Sequence, residues 1–257
     1  MPSMGDYIVL VKLLLWEAAK YVSLLIICVL AIRFWRRLPK ISGPNRHKNL
    51  LAACFFSLLA CGIGYFSTCH SLGLLYSYYG TRAFDSGNFG SAFSLFQTSS
   101  DHWKTADALG KQGVCLLLSG RPEEGLKLLD EAKVLRRGQS SFEQFYEGTH
   151  FFFHDRPDEA TPLLEEASAD PPYRYNATKL LAIIQLDRNQ AAAAAQLMNP
   201  FLGVKPEGYD QAYIVAALDL RDGKKEAVKA LLNQFPSNKL PAFWRPRFDK
   251  LRAEIQE

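Results

Sequence analysis

The chain has 257 residues, of which 48% are hydrophobic, and a formal net charge of +4. This length allows one large domain or two small ones. Most lysines and arginines alternate with acidic residues, so the sequence does not predict the basic stripe of a nucleic-acid-binding protein. The five cysteines form no CxxC pair, which favours single buried thiols over a disulfide framework.

Two apolar segments in the first third of the chain predict transmembrane helices at 18–35 and 50–69. The second segment, LLAACFFSLLACGIGYFSTC, carries no charged residue. About 20 apolar residues are enough to cross a hydrocarbon core of about 30 Å. Residues 1–72 are therefore predicted to form a two-helix membrane anchor that contacts the lipid bilayer.

Upstream of the first span, residues 7–20 are apolar but contain Lys12, Glu17 and Lys20. At 100° per residue these three charges fall on one side of a helix. This pattern is typical of a helix that lies in the membrane interface, or of an extension of the first span. We predict an interfacial helix.

The loop between the spans, residues 36–49, is basic. Together with Arg33 it contains six lysines and arginines, whereas the next cation along the chain is Arg82. The positive-inside rule places such a loop in the cytoplasm. We therefore expect a two-pass protein of a bacterial cytoplasmic membrane, with its C-terminal part on the periplasmic side. A cytoplasmic C-terminal part is the alternative.

The rest of the chain repeats a pattern with a period of 33 to 35 residues. A turn position recurs five times, at Gly87, Gly120, Asp155, Arg188 and Asp222. Five residues after each turn comes a small residue, at Ala92, Gly125, Ala160, Ala193 and Ala227. Seven residues before each turn the sequence has Gly80, Gly113, Gly148, Leu181 and Val215. A fixed period near 34 is typical of helix-turn-helix repeats.

By these residues, segment 73–236 resembles the tetratricopeptide repeat family. The resemblance implies an α-solenoid of about five helix-turn-helix repeats. The predicted fold is thus all-α: a transmembrane helical hairpin, then the solenoid, then a capping helix at 237–257. The apolar residues predicted to cover the open end of the last repeat are Phe243, Trp244, Phe248 and Leu251.

A polar stripe occurs in the segment FEQFYEGTHFFFHD, residues 142–155. Glu143, Glu147, His150 and His154 share one helix face because they follow one another at four- and three-residue steps. Two histidines at i, i+4 can bind a metal, but a zinc site needs three or four ligands. We predict a stripe packed between repeats, with no metal, cofactor or catalytic role. A metal or acid–base enzyme site at the two histidines is the alternative.

The family resemblance also implies a concave groove, formed by the first helix of each repeat, that binds peptide segments of partners. By repeat position the groove residues are Phe84, Leu117, Phe142, Phe145, Phe152, Tyr175 and Tyr209. This aromatic lining favours an apolar or aromatic partner segment. We expect a membrane-anchored scaffold within a multisubunit membrane or envelope complex, similar to those of exopolysaccharide synthesis or secretion. The alternative is a transient assembly or quality-control factor.

Overall fold

The computed structural model describes residues 4–40, 45–201 and 208–256, and over these residues the chain is helical, with no strand. The all-α prediction is therefore confirmed at the level of fold class. The α-helices of the described residues are α1 (Met4–Arg37), α2 (Asn45–Asp85), α3 (Phe89–His102), α4 (Ala106–Leu118), α5 (Pro122–Arg136), α6 (Ser141–Phe153), α7 (Pro157–Ser168), α8 (Pro171–Asp187), α9 (Ala191–Met198), α10 (Tyr209–Arg221), α11 (Lys225–Leu232) and α12 (Arg245–Gln256).

The chain divides into two compact units between Cys115 and Leu116, within α4. The first unit contains α1 to α3 and most of α4, and the second contains α5 to α12. The predicted boundary between anchor and repeats, at 72/73, falls inside α2, which is one helix of 41 residues. The second apolar segment and the first predicted repeat helix are therefore one continuous element.

The first helix, α1, runs unbroken for 34 residues. Residues 7–20, predicted as a separate interfacial helix, are its N-terminal part and extend the first apolar segment. This corrects the prediction. From Asp6 to Arg37 the sequence has no proline or glycine, so nothing ends a helix at the start of the span.

The first two helices pair as an antiparallel hairpin. Near the connecting loop, the indole nitrogen of Trp35 donates a 3.0 Å hydrogen bond to Oγ of Ser57. Toward the other end, Nζ of Lys20 lies 3.0 Å from Nδ1 of His70. Both helices are long and apolar enough to cross a membrane. Their outer surfaces expose large apolar side chains, as lipid contact requires; Leu58 is 74% exposed.

The third helix packs closely against the C-terminal half of α2. A Cβ atom added at Gly80 would lie 2.8 Å from a ring carbon of Phe96, so a glycine is needed for this contact. About two turns earlier on α2, the carbonyl of Gly73 accepts a 2.7 Å hydrogen bond from the buried hydroxyl of Ser99. The amide of Gln112 on α4 donates to the carbonyl of Phe96 at 3.0 Å.

The second unit is a run of helical hairpins around one apolar core. In the hairpin formed by α6 and α7, a Cβ atom added at Gly148 would lie 2.9 Å from Cγ of Leu164. Each of Gly80 and Gly148 thus meets a large residue 16 positions later in the chain. The largest buried side chains of this core include Leu164, Ile183, Ile214 and Phe248.

Left-handed turn residues recur along both units. Residues with positive φ occur at Gly87, Gly120, Asp155, Asn189 and Gly223, and at Arg137, which ends α5. The first five are separated by 33, 35, 34 and 34 residues. The predicted turn positions Arg188 and Asp222 are thus one residue too early. Glycine and asparagine adopt positive φ with the least strain, which places the turn on the next residue in both cases.

The same shift applies to the small residues of the second helices. Ala194 and Val228 are fully buried, whereas the predicted Ala193 is partly exposed and Ala227 is exposed. In the last two repeats the buried position therefore lies one residue later than predicted.

On the first helices, the shift moves the close-contact position to Ala182 and Ala216, both fully buried. The predicted residues were Leu181 and Val215. With this correction, all five segments have a glycine or alanine seven residues before the left-handed turn.

Candidate protein-interaction surface

The predicted groove residues fall in both compact units. Phe84 lies near the end of α2 in the first unit, partly buried, with its ring 5.5 Å from that of Phe89. Leu117 lies in the last turn of α4, is partly buried and belongs to the second unit. The other five predicted residues lie in the second unit.

Four aromatic side chains cluster at the start of α6 and α8. Phe145 stacks on Tyr173 with centroids 5.3 Å apart, and Phe142 lies 4.9 Å from Tyr146. All four rings are partly buried, so each keeps some accessible surface. We call Phe142, Phe145, Tyr146 and Tyr173 the aromatic patch. The sequence predicted the two phenylalanines but not the two tyrosines.

The predicted groove is a row of side chains along the first helix of each hairpin, and it begins at the aromatic patch. Tyr175 and Tyr209 do not belong to this row. Tyr175 packs on Phe201, which follows α9, with centroids 4.9 Å apart, and Tyr209 packs on Phe235, which follows α11, at 5.8 Å. A one-residue slip rotates a helical position by about 100°. The slip in the last two repeats therefore assigned to the groove two rings that contact the segments after the second helices.

The shift instead places Lys179 and Asp210 in the row. Nζ of Lys179 lies 2.5 Å from Oδ2 of Asp210, and it also lies 5.0 Å from the centroid of the Tyr175 ring. Because both charges are partly buried and face each other, this part of the row presents little net charge. The pair was not predicted, because the turns of the last two repeats were predicted one residue too early.

Phe152 is part of the core and is only 3% exposed. Its ring is covered by Phe243, with centroids 5.2 Å apart, and Phe243 also contacts Phe153 at 4.8 Å. The expectation that Phe152 is an accessible anchor is therefore corrected. The cause is a segment 91 residues further along the chain, which no local pattern reveals.

We call the segment 240–256 the C-terminal strap. Arg247 bonds this strap to the end of α8. Its guanidinium donates to Asp187 at the end of α8 over 2.8 and 3.0 Å, and lies 4.1 Å from the centroid of Phe243. The hydroxyl of Tyr213 on α10 donates to the same carboxylate at 3.1 Å. Burial raises the pKa of Tyr213, and the Asp187 charge adds to this effect.

The strap also contacts the hairpin of α10 and α11. Phe248 is fully buried between Tyr213 and Phe235, with ring centroids 6.2 and 5.7 Å apart. Arg252 donates to the carbonyl of Leu232 at 3.2 Å, at the end of α11. The strap therefore covers Phe152, the end of α8 and the hairpin of α10 and α11, and the aromatic patch lies outside these contacts.

The first residue of the polar stripe on α6, Glu143, has a structural role. Glu143 is 1% exposed, and both its carboxylate oxygens lie 2.6 Å from Nη1 of Arg136. The same carboxylate accepts a bond from the Ser140 amide, while the Ser140 hydroxyl accepts one from the Glu143 amide. This reciprocal capping box starts α6.

The two histidines of the stripe contact each other. Their ring centroids are 4.1 Å apart, and Nδ1 of His154 lies 2.8 Å from the carbonyl oxygen of His150. Burial lowers the pKa of His150, and the neighbouring His154 and Arg156 lower it further. Among the described residues, no group of three or more His, Cys, Asp or Glu is placed to hold a metal.

Comparison with protein-family models, curated proteins and solved structures gives no match for this chain. The resemblance to tetratricopeptide repeats therefore stays a prediction from the residues. Function has to be argued from the apolar hairpin and from the surface of the second unit.

Proposed function

We propose that this chain is a membrane-anchored scaffold that holds segments of partner proteins within a multisubunit membrane or envelope complex. The observation that carries the proposal is the continuity of α2. Its first half is apolar and outward-facing, and its second half makes the Gly80 contact with α3. One helix thus belongs to both the membrane anchor and the first repeat, which suits a fixed subunit better than a mobile receptor arm.

The repeat part of the proposal is a tetratricopeptide-like α-solenoid of five repeats. It is supported by the turns at 33- to 35-residue intervals and by the glycine or alanine seven residues before each turn. The equivalent contacts at Gly80 and Gly148 give it further support. Such repeats bury their apolar faces by stacking and expose extended binding surfaces.

The aromatic patch is the proposed binding surface of this scaffold. Its four rings are partly exposed, and the nearest charges along the row, Lys179 and Asp210, neutralise each other. Partly buried aromatic side chains are typical anchors for an apolar or aromatic partner segment. We therefore propose a partner segment with aromatic or aliphatic side chains.

The proposed location is a bacterial cytoplasmic membrane, with the basic loop in the cytoplasm and the repeats in the periplasm. The exposed cations Arg33, Arg36, Arg37, Arg46 and Lys48 flank the loop end of the hairpin. Their position supports this orientation through the positive-inside rule. A scaffold there would serve an envelope complex such as one for exopolysaccharide synthesis or secretion.

The test is recovery of partners after extraction in mild detergent. We expect a protein to co-purify in stoichiometric amounts with the tagged chain, and to be reduced at least tenfold by Phe145→Ala. The control is Tyr209→Ala, which removes an exposed aromatic ring that lies outside the row. An equal loss in both variants, or no loss in either, would remove the aromatic patch as the binding site. Substoichiometric recovery would favour a transient assembly factor.

A further inference from the structure

The turn after α3 lies against the turn of α2 that contains Phe66 and His70. The ring centroid of Trp103 is 4.9 Å from that of Phe66 and 5.1 Å from that of His70. Phe66 belongs to the uncharged part of α2, whereas His70 is hydrogen-bonded to Lys20 of α1. Trp103 therefore spans the border between the apolar and the polar part of the hairpin.

Close backbone contact holds Trp103 in this place. A Cβ at Gly73 would lie only 2.7 Å from Cβ of Trp103, so α2 and the end of α3 meet without an intervening side chain. The hydroxyl of Ser99 is bonded to the Gly73 carbonyl, and the Trp103 amide donates to Ser99 at 2.8 Å. The depth of the indole along α2 is thus fixed by the fold.

That depth corresponds to a membrane interface if α2 spans the bilayer. The apolar stretch 50–69, which ends next to the His70–Lys20 bond, is about 30 Å long at 1.5 Å per residue, and this length matches the hydrocarbon core. Phe66 lies within one turn of its end. The neighbouring rings of Tyr65 and Phe66 are 73% and 61% exposed, so the apolar surface continues around the helix beside Trp103.

We propose that the turn Trp103–Thr105 rests in the interfacial layer of the phospholipid bilayer as a membrane contact separate from the two spans. Tryptophan favours this layer because its ring is apolar and its N–H remains a hydrogen-bond donor. The next residue, Lys104, is exposed and suits the phosphate groups at the same depth. This inference rests on the proposed membrane anchoring of α1 and α2.

The contact gives the first unit a fixed height above the membrane. α2 leaves the bilayer, α3 returns to it, and α4 begins at residue 106, directly after the interfacial turn. The first repeat is then attached to the membrane surface at both of its ends. It cannot tilt away from the bilayer without pulling Trp103 into water.

Fluorescence quenching tests the depth of Trp103. The full chain and a Trp103→Phe variant are reconstituted in phosphatidylcholine–phosphatidylglycerol vesicles, and the difference in emission isolates Trp103. We expect a nitroxide near the lipid headgroup to quench this emission at least twofold more than one near the chain terminus, with little quenching by aqueous iodide. Strong iodide quenching without lipid quenching would overturn the proposal.

A second experiment tests the same contact if Trp103→Phe disturbs the fold. In a cysteine-free background, Lys104→Cys and Ser86→Cys are labelled with a nitroxide, and collisions with oxygen and with an aqueous nickel complex are compared. Ser86 is the control because it is exposed at the opposite end of α3. We expect label 104 to favour oxygen and label 86 to favour nickel; equal values would overturn the interfacial contact. Failure of the chain to float with vesicles would instead reject the membrane anchoring itself.

Discussion

At the scale of single residues, the polar face of α6 is explained by helix capping and ion pairing. Glu143 is buried, pairs with Arg136 and closes the capping box with Ser140. A buried carboxylate whose oxygens already accept hydrogen bonds is not available to a ligand. The sequence alone could not assign this role to Glu143, because the spacing of the stripe does not show which of its positions are buried.

We predict that Glu143→Ala destabilises the second unit by about 2–4 kcal/mol, because it removes the carboxylate half of the capping box and leaves Arg136 without its partner. The measurement is urea unfolding of the detergent-solubilised chain, followed by circular dichroism. The control is Glu124→Ala, which breaks the exposed pair with Arg121. We expect no measurable change there, since exposed pairs are screened by water. Equal effects in the two variants would contradict the structural role of Glu143.

His150 should make stability depend on pH. Its pKa in the folded chain lies below the ordinary value of 6.5, so the unfolded chain binds the proton more readily. The contribution of His150 is therefore complete above pH 6.5 and is lost as the pH falls from there toward the folded pKa. We predict that His150→Gln loses less stability than the parent chain between about pH 7.5 and about pH 5.5.

The measurement is the urea midpoint at several pH values in that interval. His47→Gln is the control, because His47 is exposed in the first turn of α2. An unchanged pH dependence in the His150 variant, or the same change in both variants, would contradict the prediction.

At the scale of elements, the helix–helix contacts depend on small residues at fixed positions. The contact at Gly148 is the most direct example, since a methyl group there would collide with Leu164 and Leu163. The helix itself would gain from alanine, by about 1 kcal/mol. Overpacking costs about 1–3 kcal/mol in a dense core, so the two effects oppose each other.

We predict that Gly148→Ala is net destabilising, and that Gly148→Ala with Leu164→Ala is less destabilised than the sum of the two single variants. The second substitution removes the atoms with which the new methyl group collides, so the pair is coupled. The control is Gly90→Ala on α3, where nothing lies within 4 Å of the added Cβ. It should be neutral or stabilising. Additive effects at 148 and 164 would contradict the close contact.

The period of the sequence predicted the helices well, but it did not fix the alignment of the last two repeats. Gly87 and Gly120 mark their turns clearly, whereas the fourth turn offers no glycine. Arg188 was aligned there by spacing alone. The turn requires positive φ, which asparagine tolerates far better than arginine does, so Asn189 is the better candidate for this turn than Arg188. Asn189 was therefore available as a signal.

The candidate surface was predictable only where local pattern decides it. Phe142 and Phe145 follow from the third repeat, whose turn was aligned correctly. The burial of Phe152 depends on Phe243, and the fit of the strap depends on Asp187 and Arg247. These are tertiary contacts between segments distant in the chain, and helical periodicity does not encode which distant segment covers a face.

At the scale of the whole molecule, the two apolar helices and the basic loop decide on which side of a membrane the remaining helices lie. The loop and Arg33 supply six cations, and α2 carries no further cation before Arg82. Because α2 is one helix, its C-terminal end and α3 emerge on the side opposite to the loop if α2 spans the bilayer.

We predict that protease removes a C-terminal tag in intact spheroplasts and spares it in inverted vesicles, because the loop cations stay in the cytoplasm. Replacing the six cations with glutamine should invert the chain in a large fraction of molecules. As a control, six exposed cations far from the spans are replaced instead: Lys127, Lys133, Arg137, Arg174, Lys225 and Lys229. This control should leave the orientation unchanged, since distant charges contribute little. Protection of the parent tag in spheroplasts, with loss in inverted vesicles, would place the repeats in the cytoplasm and point to cytoplasmic partners.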